Sequence, residues 1–438
     1  MAATGNQQDS KGGAIAALLV GSGEYTTGFV RGGHASKSDK NKGVVGLVFF
    51  DLRHRGLIGD RVLIAGTNGK KFPKVREHFK SAIGDFYDMS VKCETFPKDD
   101  VGRDTKVTVF TPDDTHFEIV MEAIKRGLHV MCTKPMVKTL EQHRKIVAAA
   151  KKAGVLVAIE LFCCPVITCM LAPVLLLRKV HKRYDFIYED ARQRIRNLGD
   201  FGHFVSYMSQ PKFQLETFRA WAGKSSDIRP ISVLGVAATG VAKKMGIPAE
   251  DTITLTVQWL NLKSKNIGTA VYTASWVAGQ ADVHSQQRFF YMVCCVIHAS
   301  SCYVPYIASS VACLTKSLLL GHKGEVKIDQ AHRGYTTAGD EKGSFASVNP
   351  LYMKYTKGAD GHFGGRHGYG YRSFEAFVVE AQALNQGSRK TAELDASMPT
   401  ANTTMQVTAI LEAGRRSLDE KRQMTITYDE NDEPCGFK

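Results

Sequence analysis

The stretch that decides the fold is Ala14-Ile15-Ala16-Ala17-Leu18-Leu19-Val20-Gly21-Ser22-Gly23-Glu24-Tyr25-Thr26-Thr27-Gly28. An uncharged apolar run that feeds directly into a glycine turn reads as a parallel strand buried on both faces. Gly21 and Gly23 permit a tight turn and a close backbone approach, so a pyrophosphate can sit at the start of the following helix. The spacing is G-x-G-x-x-x-x-G, closing at Gly28, with Thr26 standing where the tighter fingerprint has glycine. Gly21, Gly23, Glu24, Tyr25 and Gly28 are the candidate cofactor contacts of this turn.

Further apolar runs lie at 43–51, 61–65, 106–110, 129–132 and 155–160, with helical patterns at 74–83, 117–126 and 140–153. Strands alternating with helices predict a parallel sheet covered on both faces. From about residue 199 the pattern changes to strand-like stretches at 202–208, 252–260, 268–277, 288–292 and 324–330. Helices at 373–385 and 403–418 and a last strand at 424–428 close the chain. The predicted fold class is α/β: an N-terminal doubly wound Rossmann sheet, then a C-terminal α+β domain with an open, mostly antiparallel sheet.

The chemistry gathers at strand ends. Asp51, read as the end of a second strand, can accept from a ribose 2′-hydroxyl, which favours NAD; Arg53 and Arg55 can hold a 2′-phosphate, which favours NADP. A surface turn with an internal ion pair is the competing reading. Thr111-Pro112-Asp113-Asp114-Thr115-His116 follows the fourth predicted strand, in the crevice where doubly wound sheets bind ligands. Thr111, Pro112 and His116 are its candidate contacts, and capping of the next helix is the plain alternative for Asp114 and Thr115. Lys134 follows the fifth strand, with Pro135 fixing the turn. A lysine there can donate a proton or hydrogen bond to a carbonyl oxygen as hydride arrives at the carbon.

The 438 residues carry 57 Lys plus Arg against 43 Asp plus Glu, a formal charge of +14, which favours an anionic partner such as a phosphate-bearing cofactor. The basic residues form no stripe interleaved with aromatics, so nucleic acid is not expected, and no metal site is expected. Residues 1–13 are polar, are expected to be disordered and show neither a secretory nor a transit pattern, which makes the cytosol the default compartment. Seven of the ten cysteines fall in two apolar stretches, 161–179 and 293–320. Each has the length of a membrane span. Pro165 and Pro173 in the first and the serines of the second argue against a span, so a membrane-anchored protein is the least favoured reading, and the clustering of the cysteines points instead to insertions, such as translated intron sequence. The expected organisation is a dinucleotide-binding domain at 14–160 and a substrate and dimerisation domain at 180–430, with the insertion 161–179 between them and 293–320 within the second.

These residues resemble the glucose-fructose oxidoreductase/inositol dehydrogenase (Gfo/Idh/MocA) family, marked by a Rossmann domain, a T-P-x-x-x-H stretch and an E-K-P motif. Thr111, Pro112, His116, Lys134 and Pro135 match, while Thr133 replaces the usual Glu. Longer runs, among them 21–30, 181–196, 206–213 and 368–377, resemble the uronate reductases of D-galacturonate or D-glucuronate type. The resemblance implies NAD(P)H-dependent reduction of a sugar-acid aldehyde, Lys134 as the catalytic lysine, and a homodimer formed on the open sheet; NADP is taken as the first choice of cofactor and NAD as the second. His181, Lys182 and Arg183, with Tyr369, Tyr371 and Arg372, are then candidates to hold the substrate. Two departures stand out. The segment that carries the family's catalytic His after Asp227-Ile228 is missing, and the stretch between Asp104 and Thr105 is shortened. Impaired turnover follows from the first, and a non-catalytic dinucleotide-binding paralogue is the alternative function.

Overall fold

The strand β1 (Ala17–Val20) runs straight into the glycine turn. In the computed structural model, the described residues are 15–30, 34–36, 40–101, 115–133, 135–160, 200–211, 228–278, 286–294, 322–329, 335–337, 346–348, 353–395 and 397–438. They belong to two units. The first comprises Met1–Cys132, Ala149–Ala158 and Leu351–Ser397, and the second Thr133–Ala148, Ile159–Pro350 and Met398–Lys438.

In the first unit, β2 (Phe29–Val30) and β3 (His34–Ala35) form a short hairpin, and β4 (Val62–Ala65) and β5 (Glu94–Phe96) complete a parallel sheet in the order β1-β4-β5. β1 and β4 run in register from Ala17 opposite Val62 to Val20 opposite Ala65. This order is one half of a doubly wound sheet. β6 (Val130–Thr133) and β7 (Val157–Glu160) pair with each other. The strand expected at 106–110, and the shortened stretch beside it, lie outside the described residues.

The run 43–51, expected as a strand, is instead the helix Val44–His54. Val44 to Leu52 are all buried, so apolar residues surround the helix and erase the 3.6-residue stripe that would mark it. One side meets Phe79, whose ring lies 5.1 Å from Phe50, and another meets the helix Tyr369–Asn385 through Phe49 and Phe374 at 5.8 Å. That second helix, expected in the C-terminal domain, therefore belongs to the first unit. Gln382 donates to the Leu57 carbonyl at 2.7 Å, and Tyr87 to the Tyr355 carbonyl at 2.9 Å.

The second unit is built on an eight-stranded sheet. Its strands are β8 (Asp200–Pro211), β9 (Ile228–Ala238), β10 (Thr252–Asn261), β11 (Ile267–Ala278), β12 (Gln286–Cys294) and β13 (His322–Asp329), a separate pair β14 (Tyr335–Thr337) and β15 (Ala346–Val348) standing apart, and then β16 (Met424–Tyr428) and β17 (Pro434–Phe437). The order is β13-β12-β8-β11-β10-β9-β16-β17, antiparallel except where β11 meets β8. Leu255, Val257 and Trp259 alternate inward along β10. The helix Ala401–Glu420 crosses β9, where Gly235 donates to Ser417 Oγ at 2.9 Å. Within the described residues, no helix is long and apolar enough to cross a membrane. The insertion expected from residue 293 starts later, because Val293 and Cys294 still pair with β13 as the end of β12; 161–179 and 295–320 lie outside the described residues.

Candidate functional site

Three strand ends of the first unit converge at one edge. The Gly21 amide donates to the Ala65 carbonyl at 2.8 Å, Gly66 to Phe96 at 2.8 Å, and Gly69 to Val101 at 3.0 Å. The turn after β1 thus lies beside the loop Gly66-Thr67-Asn68-Gly69-Lys70-Lys71 after β4. Lys71 Nζ donates to the Ser22 carbonyl at 2.7 Å and fastens that loop to the turn, and burial lowers its pKa. Arg76 reaches Thr95 Oγ1 at 2.8 Å and pairs with Asp99, holding the third strand end in place. Gly21 has φ 120°. A Cβ built on Gly23 meets nothing within 4 Å, so its backbone faces open space, as the approach of a pyrophosphate requires.

The turn enters a single helical turn, Glu24–Thr27, before the chain leaves at Gly28 and returns at Gly43 to begin the helix Val44–His54. Both glycines have left-handed φ, 74° and 73°, and a Cβ on Gly28 would lie 2.1 Å from the Asn41 carbonyl oxygen. The excursion is tied back to the turn: Ser36 Oγ donates to Glu24, and Lys40 Nζ lies 5.5 Å from the Tyr25 ring centroid. Thr27, in the variant part of the fingerprint, donates its hydroxyl to the Ser22 and Gly23 carbonyls at 3.2 and 3.0 Å. Gly21, Gly23, Glu24, Tyr25 and Gly28 thus lie on one turn at the end of β1.

Asp51 and Arg53 are not at this edge. Asp51 is fully buried in the helix and accepts from Arg366 at 2.9 and 3.0 Å and from the Tyr371 hydroxyl at 2.5 Å, so its oxygens are spoken for by protein donors rather than a ribose. Arg53 donates to the Ser90 and Lys92 carbonyls at 2.6 and 2.5 Å, which pins the stretch leading into β5, so its guanidinium is taken up by main-chain oxygens. Both corrections follow from the helix that replaces the expected strand.

Tyr371, expected against substrate, donates to Asp51 and accepts from Arg55 at 2.8 Å; burial and the adjacent carboxylate push its pKa up. Tyr369 is also buried, while Arg372 is half-buried. His116 is buried and opens the helix His116–Lys125, and Pro135 is buried. Thr111, Pro112, Lys134, His181, Lys182 and Arg183 lie outside the described residues. Sequence reading overlooked the loop 66–71. Its signal was present in the apolar run 61–65 followed by a Gly-Thr-Asn-Gly turn, but the run 43–51 had already taken the place of second strand. From Ile228 the chain continues as β9, with Pro230 opposite the bulge at Gln258/Trp259, so residues 229–231 are part of a sheet strand.

Residues 17–161 match the model of the Gfo/Idh/MocA oxidoreductase family, NAD-binding Rossmann fold. The match takes in about a third of the chain and concerns its dinucleotide-binding fold. Over 49 residues the chain is 47% identical to 1,5-anhydro-D-fructose reductase of Ensifer adhaerens, covering 11% of this chain and 15% of that protein. It is 34% identical over 96 residues to the uncharacterized oxidoreductase YdgJ of Escherichia coli (strain K12), covering 21% and 27%. The matched stretches span less than a third of these curated relatives. The structure of GenD2 from gentamicin A biosynthesis, in complex with NAD, superposes with a TM-score of 0.51 at 14% identity, covering 97% of this chain and all of that one. This likeness is one of fold, and it takes in the C-terminal sheet as well as residues 17–161.

Proposed function

We propose that this protein is an NAD(P)-dependent oxidoreductase that reduces the aldehyde of a sugar acid such as D-galacturonate. The observation that carries the reading is the Gfo/Idh/MocA Rossmann segment, with its glycine turn fastened to the loop 66–71. The short, strong likeness to a reductase of 1,5-anhydro-D-fructose supports a sugar carbonyl as the target. A nicotinamide cofactor supplies the hydride. Gly21 and Gly23 admit its pyrophosphate. Lys134 donates to the carbonyl oxygen as negative charge builds there, while Lys182 or Arg183 clamps the carboxylate, arginine offering the two-pronged geometry.

NADP is the preferred cofactor in this reading, for a reason that replaces Arg53. The loop after the true second strand holds no acid to accept from a ribose 2′-hydroxyl; it carries Asn68 and the exposed Lys70 instead. The Lys70→Ala variant is expected to raise the Kd of NADPH about tenfold while changing that of NADH by less than twofold, read by fluorescence titration. Equal losses for both cofactors would remove Lys70 from this role. A second copy of the chain is expected on the open sheet, where Leu234, Val236 and Ile267 are 41%, 57% and 58% exposed.

Turnover is tested by following NADPH oxidation with D-galacturonate and D-glucuronate. The Lys134→Ala variant is expected to lose roughly 10²- to 10⁴-fold in kcat while still binding NADPH. Tight NADPH binding without turnover of either uronate by the unaltered chain would favour the second reading, a non-catalytic dinucleotide-binding protein. The run of Ile228 directly into β9 supports that alternative, because it leaves no room there for the missing histidine segment.

A further inference from the structure

The helix Val44–His54 has two ends with different surroundings, both within the first unit. Its start lies against the glycine turn, where a Cβ on Gly43 would come within 2.7 Å of the Thr26 carbonyl oxygen. Its length carries the chain about 16 Å away from that turn. At the far end Arg55, Arg366, His367 and Arg372, with Asp360 and Glu375, line a cleft of about 610 Å³. A space of that size holds a small molecule, and the lining is polar and charged rather than apolar.

The guanidiniums are held by one edge and open at the other. Arg366 gives Nε and Nη2 to Asp51, and Arg55 gives Nη1 to both the Tyr371 hydroxyl and Glu375. Arg366 Nη1 and the Nε–Nη2 edge of Arg55 donate to no described residue. The side chains are 32% and 30% exposed, so solvent reaches them although their bonds to Asp51, Tyr371 and Glu375 fix them in place. Binding on such an edge orders little additional side-chain freedom, and the planar fork suits a carboxylate. A bare anion would satisfy the arginines and leave the carboxylates of Asp360 and Glu375 facing it. Hydroxyl groups on the same ligand give those carboxylates donors.

We infer that this cleft is a second small-molecule site, which takes a polyhydroxy carboxylate on the open edges of Arg55 and Arg366, its hydroxyls donating to Asp360 and Glu375. The site rests on its own residues and stands apart from the activity proposed above. Calorimetric titration of the full chain with D-gluconate, a sugar acid with no aldehyde to reduce, is expected to show one saturable event. Arg55→Met should weaken it roughly tenfold or more. Because that change also breaks the bonds to Tyr371 and Glu375, Ala359→Glu provides the second test: it adds a carboxylate at an exposed lining position without removing any bond, and should weaken binding to a similar extent. Lys70→Ala and Lys134→Ala should leave it unchanged. The inference is overturned by an absence of saturable heat, by binding indifferent to Ala359→Glu, by binding lost in Lys134→Ala, or by acetate binding as tightly as gluconate.

Discussion

Asp51 shows how far one side chain's role depends on its neighbours. Its carboxylate has no exposure to water and accepts from the Arg366 guanidinium and the Tyr371 hydroxyl, while Arg55 donates to that same hydroxyl. A buried carboxylate satisfied in this way joins two helices, and removing its charge strands a guanidinium beside it. The Asp51→Asn variant is therefore expected to lose about 3 kcal/mol of stability in urea denaturation. NADPH affinity of the folded fraction should be unaltered; a selective loss of NADH binding would return Asp51 to the ribose. The sequence placed an acid followed by arginines after an apolar run, a pattern shared by a ribose-binding strand end and an internal ion pair. Which of the two applies depends on Arg366 and Tyr371, more than 300 positions away in the chain.

At the scale of elements, the helix Leu140–Ala153 packs on the helix Ala401–Glu420 around a fully buried histidine. His143 contacts Thr408 Oγ1 and the Ala401 carbonyl oxygen, both at 2.7 Å, so the neutral ring donates to the carbonyl and accepts from the hydroxyl. Burial lowers its pKa from 6.5 to about 4. The folded pKa lies below the unfolded one, so the associated stability is fully present above pH 6.5 and is lost as pH falls from there toward 4. The loss amounts to about 3 kcal/mol. Urea midpoints measured across this window should fall accordingly, and His143→Gln should flatten that part of the profile. Other elements differ in how openly they declare themselves. The helix 140–153 has polar and apolar faces and its bounds were legible, as were β10 and β16. The helix Val44–His54 was not, because its apolar residues lie on every side, and β9 was hidden by Pro230 and Gly235, which break the pattern of a strand while the bulge accommodates the proline.

The whole molecule does not divide as a linear reading of its pattern suggests. Residues 351–397 complete the first unit, where the helix Tyr369–Asn385 covers Phe49 and Asp51. A fragment ending at residue 161, which holds the entire family match, would leave that surface bare. It is expected to lack a cooperative unfolding transition and to bind no NADPH. The same fragment joined through a flexible linker to residues 351–420, which also supply the helix that covers His143, should regain both, as monitored by circular dichroism and nucleotide fluorescence. A fragment 1–161 that folds and binds unaided would show the later residues to be dispensable.

Local pattern was enough to read the strand and glycine turn at residues 17–28, the alternation that makes the first sheet parallel, and the mostly antiparallel sheet that follows. These features are local, written in periods of two and 3.6 residues and in the conformational freedom of glycine. Tertiary structure alone decided that residues 44–54 are helical, that Lys70 and Lys71 stand at the second strand end, and that Asp51 belongs to Tyr371 and Arg366. Each of these depends on what covers a segment once distant parts of the chain have packed. Burial on all sides removes the very asymmetry from which a sequence pattern is read.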